Sequence, residues 1–324
     1  MTRIAQVPAP REEAPAPPAI ALITAPPVAR HGRVRSLVEA LRPRQWVKNV
    51  LVAAAPLAAA RQLDTGVVLA TLLAFGAFTA ASAGTYLFND VRDRASDARH
   101  PDKRHRPVAR GDVPVRLAVT CAAVLLTCSV VVPALTGHLQ LAACMAVYVG
   151  LMQAYSLGLK DEPVIDMAIV ASGFLLRAMA GGLAAGLPLS KWFLIVSAFG
   201  SLFMVSGKRY SELVALGPDA GGVRAALDGY TTTYLRFVWG MSAGVLLTAY
   251  CLWAFEVGTA VPGGTTAPWS ALSVAPFLLA VLRYALDVDR GLAAAPEDIA
   301  LNDRALQLIA LCWLVTFGLG AAGV

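Results

Sequence analysis

The sequence predicts an all-α membrane protein, a bundle of nine transmembrane helices. Of its 324 residues, 57% are apolar and only 15% are charged, whereas soluble domains carry about 25% charged residues. The apolar residues also collect in repeated runs, most of them near the roughly 20 residues that cross a bilayer. The net charge of +6 is typical of loops that lie against anionic headgroups, so we expect a membrane partner and no nucleic acid.

The first 32 residues differ in composition from the rest of the chain. Residues 1–30 hold seven prolines and eight alanines without periodicity, a composition that buries too little surface to fold. We therefore expect residues 1–32 to form a disordered cytoplasmic tail.

An amphipathic segment, residues 33–47, follows the tail. Its apolar residues recur at helical spacing among several arginines, and they are Val34, Leu37, Val38 and Leu41. This pattern predicts a short interfacial helix lying on the membrane surface. Trp46 is a natural anchor at the interface.

Residues 48–324 form the predicted transmembrane catalytic domain. Its nine apolar runs lie near residues 48–62, 66–89, 115–136, 138–158, 164–186, 190–206, 236–257, 268–286 and 303–323. The polar connections between them alternate between long and short, and the long ones are 90–114, 207–235 and 287–302.

Lysines and arginines are distributed unequally between the two sets of connections. Counted from Arg30 onward, twenty-two lie at or before the start of the first run and in the alternate connections that share its side of the membrane, whereas only Arg61 and Lys191 lie in the others. Cytoplasmic loops carry the excess of Lys and Arg. The sequence therefore predicts a multi-pass protein of the plasma (inner) membrane, with the N-terminus and long loops cytoplasmic and the C-terminus outside.

The second apolar run ends in an acidic motif, Asn89-Asp90-x-x-Asp93-x-x-x-Asp97. On one helix the three carboxylates fall within about 60° of one another, and Asn89 extends the arc to about 100°. Carboxylates this close repel one another unless a cation lies among them, and hard oxygen ligands suit Mg²⁺, with Mn²⁺ as an alternative. The other interpretation is a solvated helix end, balanced by Arg92, Arg94 and Arg99.

Basic residues follow the acidic motif, in the order Lys103-Arg104-His105-Arg106-Pro107, with Gly111 beyond them. Together the two segments resemble the first signature of the UbiA-type intramembrane prenyltransferase superfamily. Nine helices with long cytoplasmic connections after the second and sixth also match that superfamily. The resemblance implies that Asn89, Asp90, Asp93 and Asp97 hold Mg²⁺ and, through it, a diphosphate.

The sequence departs from most of that superfamily at the second acidic motif, which is usually an Asp pair of the D-x-x-x-D kind. The connection after the sixth run offers only Asp219 and Asp228, nine residues apart. After the fourth run the chain instead carries Tyr155-x-x-x-Leu159-Lys160 and Pro163-Val-Ile-Asp166.

These segments resemble a subgroup, the decaprenyl-phosphate 5-phosphoribosyltransferases. So do Arg42-Pro-Arg-Gln-Trp46-Val-Lys48-Asn49, Gly207-Lys208-Arg209-Tyr210 and Leu227-Asp228-Gly229-Tyr230. The resemblance implies transfer of 5-phosphoribose from phosphoribosyl pyrophosphate (PRPP) to decaprenyl (polyprenyl) phosphate. The products would be decaprenylphosphoryl-5-phosphoribose and pyrophosphate, in a precursor step for cell-wall arabinan. The sequence leaves the oligomeric state open, including a homo-oligomer.

The resemblance also implies which residues form the site. The candidate catalytic residues are Asp90, Asp93, Asp97 and Asp166. The candidate substrate-binding residues are Lys48, Asn89, Lys103, Arg104, Arg106, Tyr155, Lys160, Lys208, Arg209, Arg224 and Tyr230. The basic residues among them have a second interpretation, as anchors to lipid headgroups.

Arg177 is a further candidate, because it lies inside an apolar run where an arginine costs roughly 2.5–3.5 kcal/mol. It follows Asp166 by eleven residues, which places both on one helix face. We expect Arg177 either to hold a phosphate or to order Asp166. The alternative is a structural ion pair.

Two other functions remain open at this stage. A prenyltransferase of the same fold would move a polyprenyl group from its diphosphate to an aromatic acceptor, but it has less use for so many lysines and arginines. A polyprenyl-lipid transporter would place ionisable groups near the bilayer midplane between inverted repeats. Here those groups crowd at one rim, and the sequence shows no internal repeat.

Overall fold

The computed structural model describes residues 32–59, 64–100, 103–216, 225–259 and 269–322. Every regular element in these ranges is a helix. The tail predicted over residues 1–32 lies outside the described residues except for Gly32, and so does the candidate Arg224.

The chain enters through three short helical pieces, not one continuous helix. Helix α1 spans Arg33–Ala40, a 3₁₀ helix spans Pro43–Ala53, and α2 spans Ala54–Ala58. Between α1 and the 3₁₀ helix, Arg42 adopts a left-handed conformation with φ of 54°. A residue that precedes proline is disfavoured in the right-handed helical region, so Pro43 ends the amphipathic segment before residue 47.

The remaining helices form the bundle and its cytoplasmic connections. They are α3 (Thr65–Arg92), α4 (Arg94–Asp97), α5 (Val115–Leu135), α6 (Leu139–Leu157), α7 (Ile165–Ala185), α8 (Lys191–Leu216), α9 (Thr232–Thr259), α10 (Trp269–Leu272), α11 (Val274–Asp289), α12 (Pro296–Asn302) and α13 (Arg304–Ala322). Short 3₁₀ helices cover Lys103–His105, Leu159–Asp161 and Ala225–Gly229.

Seven described helices are long and apolar enough to cross a membrane, namely α3, α5, α6, α7, α9, α10 joined with α11, and α13. The all-helical membrane class is thus confirmed, whereas the count of nine is not reproduced. The first predicted run is divided between the 3₁₀ helix and α2, and α8 has charged residues close to both ends. Between Lys191 and Lys208 its apolar stretch is shorter than the roughly 20 residues of a full span.

Two of the three apolar clusters among the described residues meet at helix α7. One joins α3, α6 and α7 around Phe78, Leu141 and Tyr148, and the other joins α7, α8, α9 and α11 around Phe203 and Tyr284. Helix α7 belongs to both, so it lies at the centre of the fold. None of the apolar window of α13 is buried within the chain.

The 3₁₀ helix packs directly against α7 because that helix carries glycines at the contact. A Cβ at Gly181 would lie 2.2 Å from the carbonyl oxygen of Val52, far inside van der Waals contact. The close approach places Asn49 beside the middle of α7. The 3₁₀ helix therefore contributes two buried residues, Asn49 and Val52, to the bundle interior.

Candidate functional site

The acidic motif lies where α3 ends. Helix α3 stops at Arg92, Asp93 forms the turn with ψ near 5°, and α4 continues to Asp97. Helical backbone hydrogen bonds still run across the turn, from the Asp93 amide to the Asn89 carbonyl and from the Asp97 amide to the Asp93 carbonyl, both 2.8 Å. The motif thus spans two helices, not the single helix expected.

Three cations contact the three carboxylates, and we call these six side chains the motif cluster. Arg106 Nη1 lies 2.7 Å from Asp97 Oδ2 and 3.3 Å from Asp90 Oδ1. Arg42 Nη2 lies 2.6 Å from the same Asp90 oxygen, and Lys160 Nζ lies 3.6 Å from Asp93 Oδ2. The carboxylates of Asp90 and Asp97 are almost fully buried, whereas both guanidinium side chains are more than a quarter exposed.

The donors of the motif suit a hard divalent cation, since they are carboxylates with the amide oxygen of Asn89 beside them. Within the described residues, however, no three acidic, His or Cys side chains are arranged to hold a metal ion. Asp93 is turned toward Lys160 and away from the pair that Arg106 joins. The oxygen ligands therefore have the chemistry that a hard divalent cation prefers, but in this arrangement they are paired with the arginines and the lysine of the motif cluster.

A cavity of about 270 Å³ opens beside the motif cluster. Its lining includes Arg42, Asp90 and Arg106, together with Glu39 from α1 and His105. The end of α1 is fixed here because Arg110 contacts Glu39 at 3.0 Å and Asp112 at 2.6 Å. The amphipathic segment thereby forms one wall of the polar site.

The segment between α6 and α7 joins the two halves of the site, and it is strained. The amide of Ile165 donates to the carbonyl of Pro163 at 2.8 Å, across Val164 with φ of 68° and ψ of −50°. This is a γ-turn of the rare positive-φ class, and a β-branched residue there costs of order 1–3 kcal/mol. Tyr230 stabilises it, because its hydroxyl accepts a hydrogen bond from the Val164 amide at 2.6 Å.

Tyr230 is protonated under ordinary conditions. Burial, the largest contribution, raises the pKa of its phenol above the usual value near 10. Its neighbour Gly229 makes the approach possible, since a Cβ there would lie 2.3 Å from Pro163 Cγ. The predicted residue Tyr230 therefore braces the segment that carries Lys160.

A second ionic group, the buried cluster, lies at the start of α7. Arg209 contacts both oxygens of Asp166, at 2.6 and 3.0 Å, and Glu212 at 2.8 Å. Tyr155 donates to Asp166 at 2.8 Å. Asp166 is 0% and Arg209 2% exposed, so in this arrangement the pair fixes α6, α7 and α8 to one another and offers no free group to a substrate.

Arg177 contacts a set of neutral groups, and Asp166 is not among them. It donates to Asn49 at 3.0 Å, to the Tyr148 hydroxyl at 2.6 Å and, more weakly, to Ser82 at 3.4 Å. The ring of Phe78 lies 5.5 Å from its guanidinium carbon. The expectation that Arg177 orders Asp166 is wrong, because Arg209 and Tyr155 already hold that carboxylate, and the contacts of Arg177 are not the ion pair expected as the alternative.

The remaining candidates lie around the rim. Lys208 contacts Glu212 at 3.8 Å and is about one third exposed. Arg104 is exposed beside His105, while Lys48 and Lys103 are half-buried. The structure thus brings Asp90, Asp93, Asp97, Arg106 and Lys160 together and groups Tyr155, Asp166 and Arg209 apart from them. Lys103 and Arg104 lie outside both clusters.

Sequence reasoning did not find three participants. Arg42 was seen only as part of a motif, Asn49 was not linked to Arg177, and Glu212 was not considered. Glu212 has a local signal, since residues three apart on a helix are neighbours and Arg209 precedes it by three. The other two contacts join residues 48 and 128 positions apart, for which a single sequence carries no local signal.

Comparison with known proteins shows the family of this chain. The UbiA prenyltransferase family matches residues 49–309. A decaprenyl-phosphate phosphoribosyltransferase of Mycobacterium tuberculosis is 49% identical over 306 residues, which are 93% of this chain and 98% of that protein. One from Mycolicibacterium smegmatis is 48% identical over 88% of this chain and 92% of its own length.

A solved structure shares the fold. A UbiA homologue from Archaeoglobus fulgidus, bound to DMAPP and Mg²⁺, superposes with a TM-score of 0.65 at 15% identity, covering 89% of this chain and 99% of that one. At this identity the likeness concerns the fold alone. The fold, the acidic motif at the end of α3 and the extent of the family match lead to one conclusion: this chain belongs to the UbiA prenyltransferase family.

Proposed function

We propose that this protein transfers 5-phosphoribose from PRPP to decaprenyl (polyprenyl) phosphate, releasing pyrophosphate. The proposal is supported by the similar proteins of two mycobacteria, which are named decaprenyl-phosphate phosphoribosyltransferase. The identity of 48–49% extends over most of both chains. The reaction supplies a lipid-linked sugar of the kind that arabinan synthesis consumes.

The structural observation that supports this choice is the state of Asp166. In most of the family a second Asp pair faces the first motif. Here the corresponding region has no such pair: Asp161 and Glu162 are exposed, and Asp166 is fully buried and held by Arg209 and Tyr155. The polar rim instead presents cations, and this suits a reaction in which both substrates are phosphorylated.

The reaction needs no general base. The lipid phosphate is already ionised, and one of its oxygens attacks the anomeric carbon of the ribose. The bond from that carbon to pyrophosphate breaks, and pyrophosphate leaves with the electron pair. The difficult part is the charge that develops on the leaving group, which Arg42, Arg106 and Lys160 are placed to stabilise.

We also assign different cations to the two ends of PRPP. The pyrophosphate belongs at the motif cluster, whereas the 5-phosphate lies a ribose length away and needs a cation of its own. Lys208, about one third exposed, is the candidate for this role, because Lys160 already belongs to the motif cluster. Arg209 is excluded from direct contact in this conformation by its burial, so we assign it and Asp166 a positioning role.

A divalent cation, Mg²⁺ in our proposal with Mn²⁺ as a substitute, would be held by Asn89, Asp90, Asp93 and Asp97. When bound, such an ion neutralises charge on a leaving diphosphate. The chain's own contribution is to orient the substrate from α3 and α4 and to add the basic groups of the motif cluster.

Product identification tests the proposal. Purified protein in lipid nanodiscs is incubated with PRPP, decaprenyl phosphate and Mg²⁺, and the lipid product is identified by mass. We expect decaprenylphosphoryl-5-phosphoribose together with pyrophosphate. A protein that ignores PRPP but prenylates an aromatic acceptor from a polyprenyl diphosphate would contradict the proposal, and the Asp97→Asn variant is the background control.

We further propose that the N-terminus and the site are cytoplasmic and the C-terminus lies outside. The clustering of Lys and Arg on one set of connections supports this orientation. In a cysteine-free background, engineered cysteines at Ala95 and Thr136 should react with an impermeant reagent from opposite sides of the membrane. Labelling of both from the same side would contradict the topology.

A further inference from the structure

The motif cluster is electrically balanced by its own side chains. Three carboxylates, Asp90, Asp93 and Asp97, face three cations, Arg42, Arg106 and Lys160. The formal charges of these six groups cancel. A bare divalent cation would therefore gain no net attraction, and it would have to displace arginines from nearly buried carboxylates.

The charge balance is different when a metal ion arrives together with a diphosphate. The diphosphate brings negative oxygens, which accept the guanidinium groups as they leave the carboxylates. Charge-assisted hydrogen bonds of arginine to phosphate are as strong as those to carboxylate. The exchange thus replaces each broken contact by an equivalent one.

We propose that Arg106 is an exchangeable counter-ion, which holds Asp90 and Asp97 until a metal–diphosphate complex arrives and then transfers to the diphosphate. It contacts both carboxylates from one nitrogen, so a single side-chain movement frees two ligands. Its side chain is 29% exposed, and the cavity of about 270 Å³ that it lines gives it room to move.

Lys160 and Arg42 act in the same way, but the contacts described here join each of them to one carboxylate. Lys160 contacts Asp93 at 3.6 Å, a distance at which release is easy. The consequence is an order of binding, in which metal and diphosphate enter together and metal alone binds weakly. The inference rests on the proposed function only in placing the diphosphate at the motif cluster.

Binding of Mn²⁺ tests the inference without turnover. Protein-bound Mn²⁺ is measured by equilibrium dialysis of purified protein in nanodiscs, alone and with inorganic pyrophosphate, so that Mn²⁺ chelated by free pyrophosphate is present equally on both sides and is subtracted. For the wild type we expect pyrophosphate to increase Mn²⁺ affinity about ten- to hundredfold, the range of one charge-assisted hydrogen bond. Equal affinity with and without pyrophosphate would overturn the inference.

The variant Arg106→Gln isolates the exchange. It should bind Mn²⁺ alone about tenfold more tightly than the wild type, since two carboxylates lose a competing cation, and it should gain less from pyrophosphate. Arg106→Lys should restore the wild-type pattern, and Arg99→Gln is the matched control, because the Arg99 side chain bonds only the Ala95 carbonyl among its described contacts. Unchanged binding of Mn²⁺ alone in Arg106→Gln would overturn the proposal.

Two further variants keep the test decisive. If Arg106→Gln does not fold, Arg42→Gln removes the other cation from Asp90 and carries the same expectation. Asp97→Asn should abolish tight Mn²⁺ binding in every background, and persistence of it would show a site elsewhere. Because PRPP is absent throughout, failure of the exchange leaves product formation intact, and failure of the proposed activity leaves the Mn²⁺ pattern intact.

Discussion

The motif cluster and the buried cluster are built from the same chemical pair, a carboxylate and a guanidinium, yet they differ in the exposure of the cation. In the motif cluster the Arg42 and Arg106 side chains are 28% and 29% exposed, whereas in the buried cluster the Arg209 side chain is 3% exposed. An arginine that touches solvent can change partners, and one enclosed by protein cannot do so without losing its only compensation. The comparison therefore distinguishes the motif cluster, as a candidate binding site, from the buried cluster, as a part of the scaffold.

The largest expected effect breaks the buried cluster. Asp166→Asn leaves the Arg209 charge without its main counter-ion, and removal of one partner of a buried ion pair costs about 3–5 kcal/mol. We expect a clear fall in melting temperature. Unfolding can be monitored through the fluorescence of the six tryptophans. The double variant Asp166→Leu/Arg209→Met should regain most of it, and a wild-type melting temperature in Asp166→Asn would contradict the role of scaffold.

The second prediction breaks the motif cluster. Asp97→Asn should reduce turnover about 10²–10³-fold, the loss typical of a group that stabilises developing charge. Its melting temperature should change far less than that of Asp166→Asn, since Arg106 keeps Asp90 as a partner. Product formation is measured by mass, with excess EDTA added to the wild type as a second way to remove the metal. Full turnover in either sample would reject the metal assignment.

The third prediction concerns the rim of the motif cluster. Lys160→Met should raise the KM for PRPP about ten- to hundredfold, because a charge-assisted hydrogen bond contributes about 1.5–3 kcal/mol. Lys191→Met is the matched control, since Lys191 lies at the opposite end of the bundle beside Glu256. If only the KM for decaprenyl phosphate changed, Lys160 would contact the lipid substrate instead of PRPP. If neither KM changed, Lys160 would serve only as an anchor to lipid headgroups.

The smallest expected effect links the two clusters. Tyr230→Phe removes the acceptor for the Val164 amide and should cost about 1 kcal/mol of stability, with a modest fall in turnover. Because burial raises the pKa of the Tyr230 phenol above the usual value near 10, the wild-type hydroxyl stays protonated up to about pH 9, so its contribution should be constant up to that pH. Loss of the difference between wild type and variant between about pH 7 and pH 9 would argue against this.

The fold could be predicted because each membrane helix corresponds to a continuous run of apolar residues in the sequence. Helix α5 and helix α6, for example, begin and end within a few residues of the predicted runs. The described part of the first run forms a 3₁₀ helix and α2, not one continuous helix, and the close packing of that 3₁₀ helix on Gly181 depends on a distant part of the chain.

The site was predictable to the same extent. The spacing of Asp90, Asp93 and Asp97 is visible in the sequence, and it led to the end of α3. The partners of Asp166 and Arg177 were not, since Arg209 lies 43 positions from Asp166, and Asn49 lies 128 positions from Arg177. Such contacts depend on which helices pack together, and burial decides whether a charge binds substrate or supports the fold.

The most direct test of the contrast between site and scaffold is the structure of the protein with Mg²⁺ and PRPP bound. The account predicts that Asp90, Asp93 and Asp97 turn to the metal, that Arg106 moves to the pyrophosphate, and that Arg209 keeps its contacts of 2.6 and 3.0 Å with Asp166. PRPP bound through Arg209, with Asp166 released as a metal ligand and Arg106 still on Asp97, would contradict it.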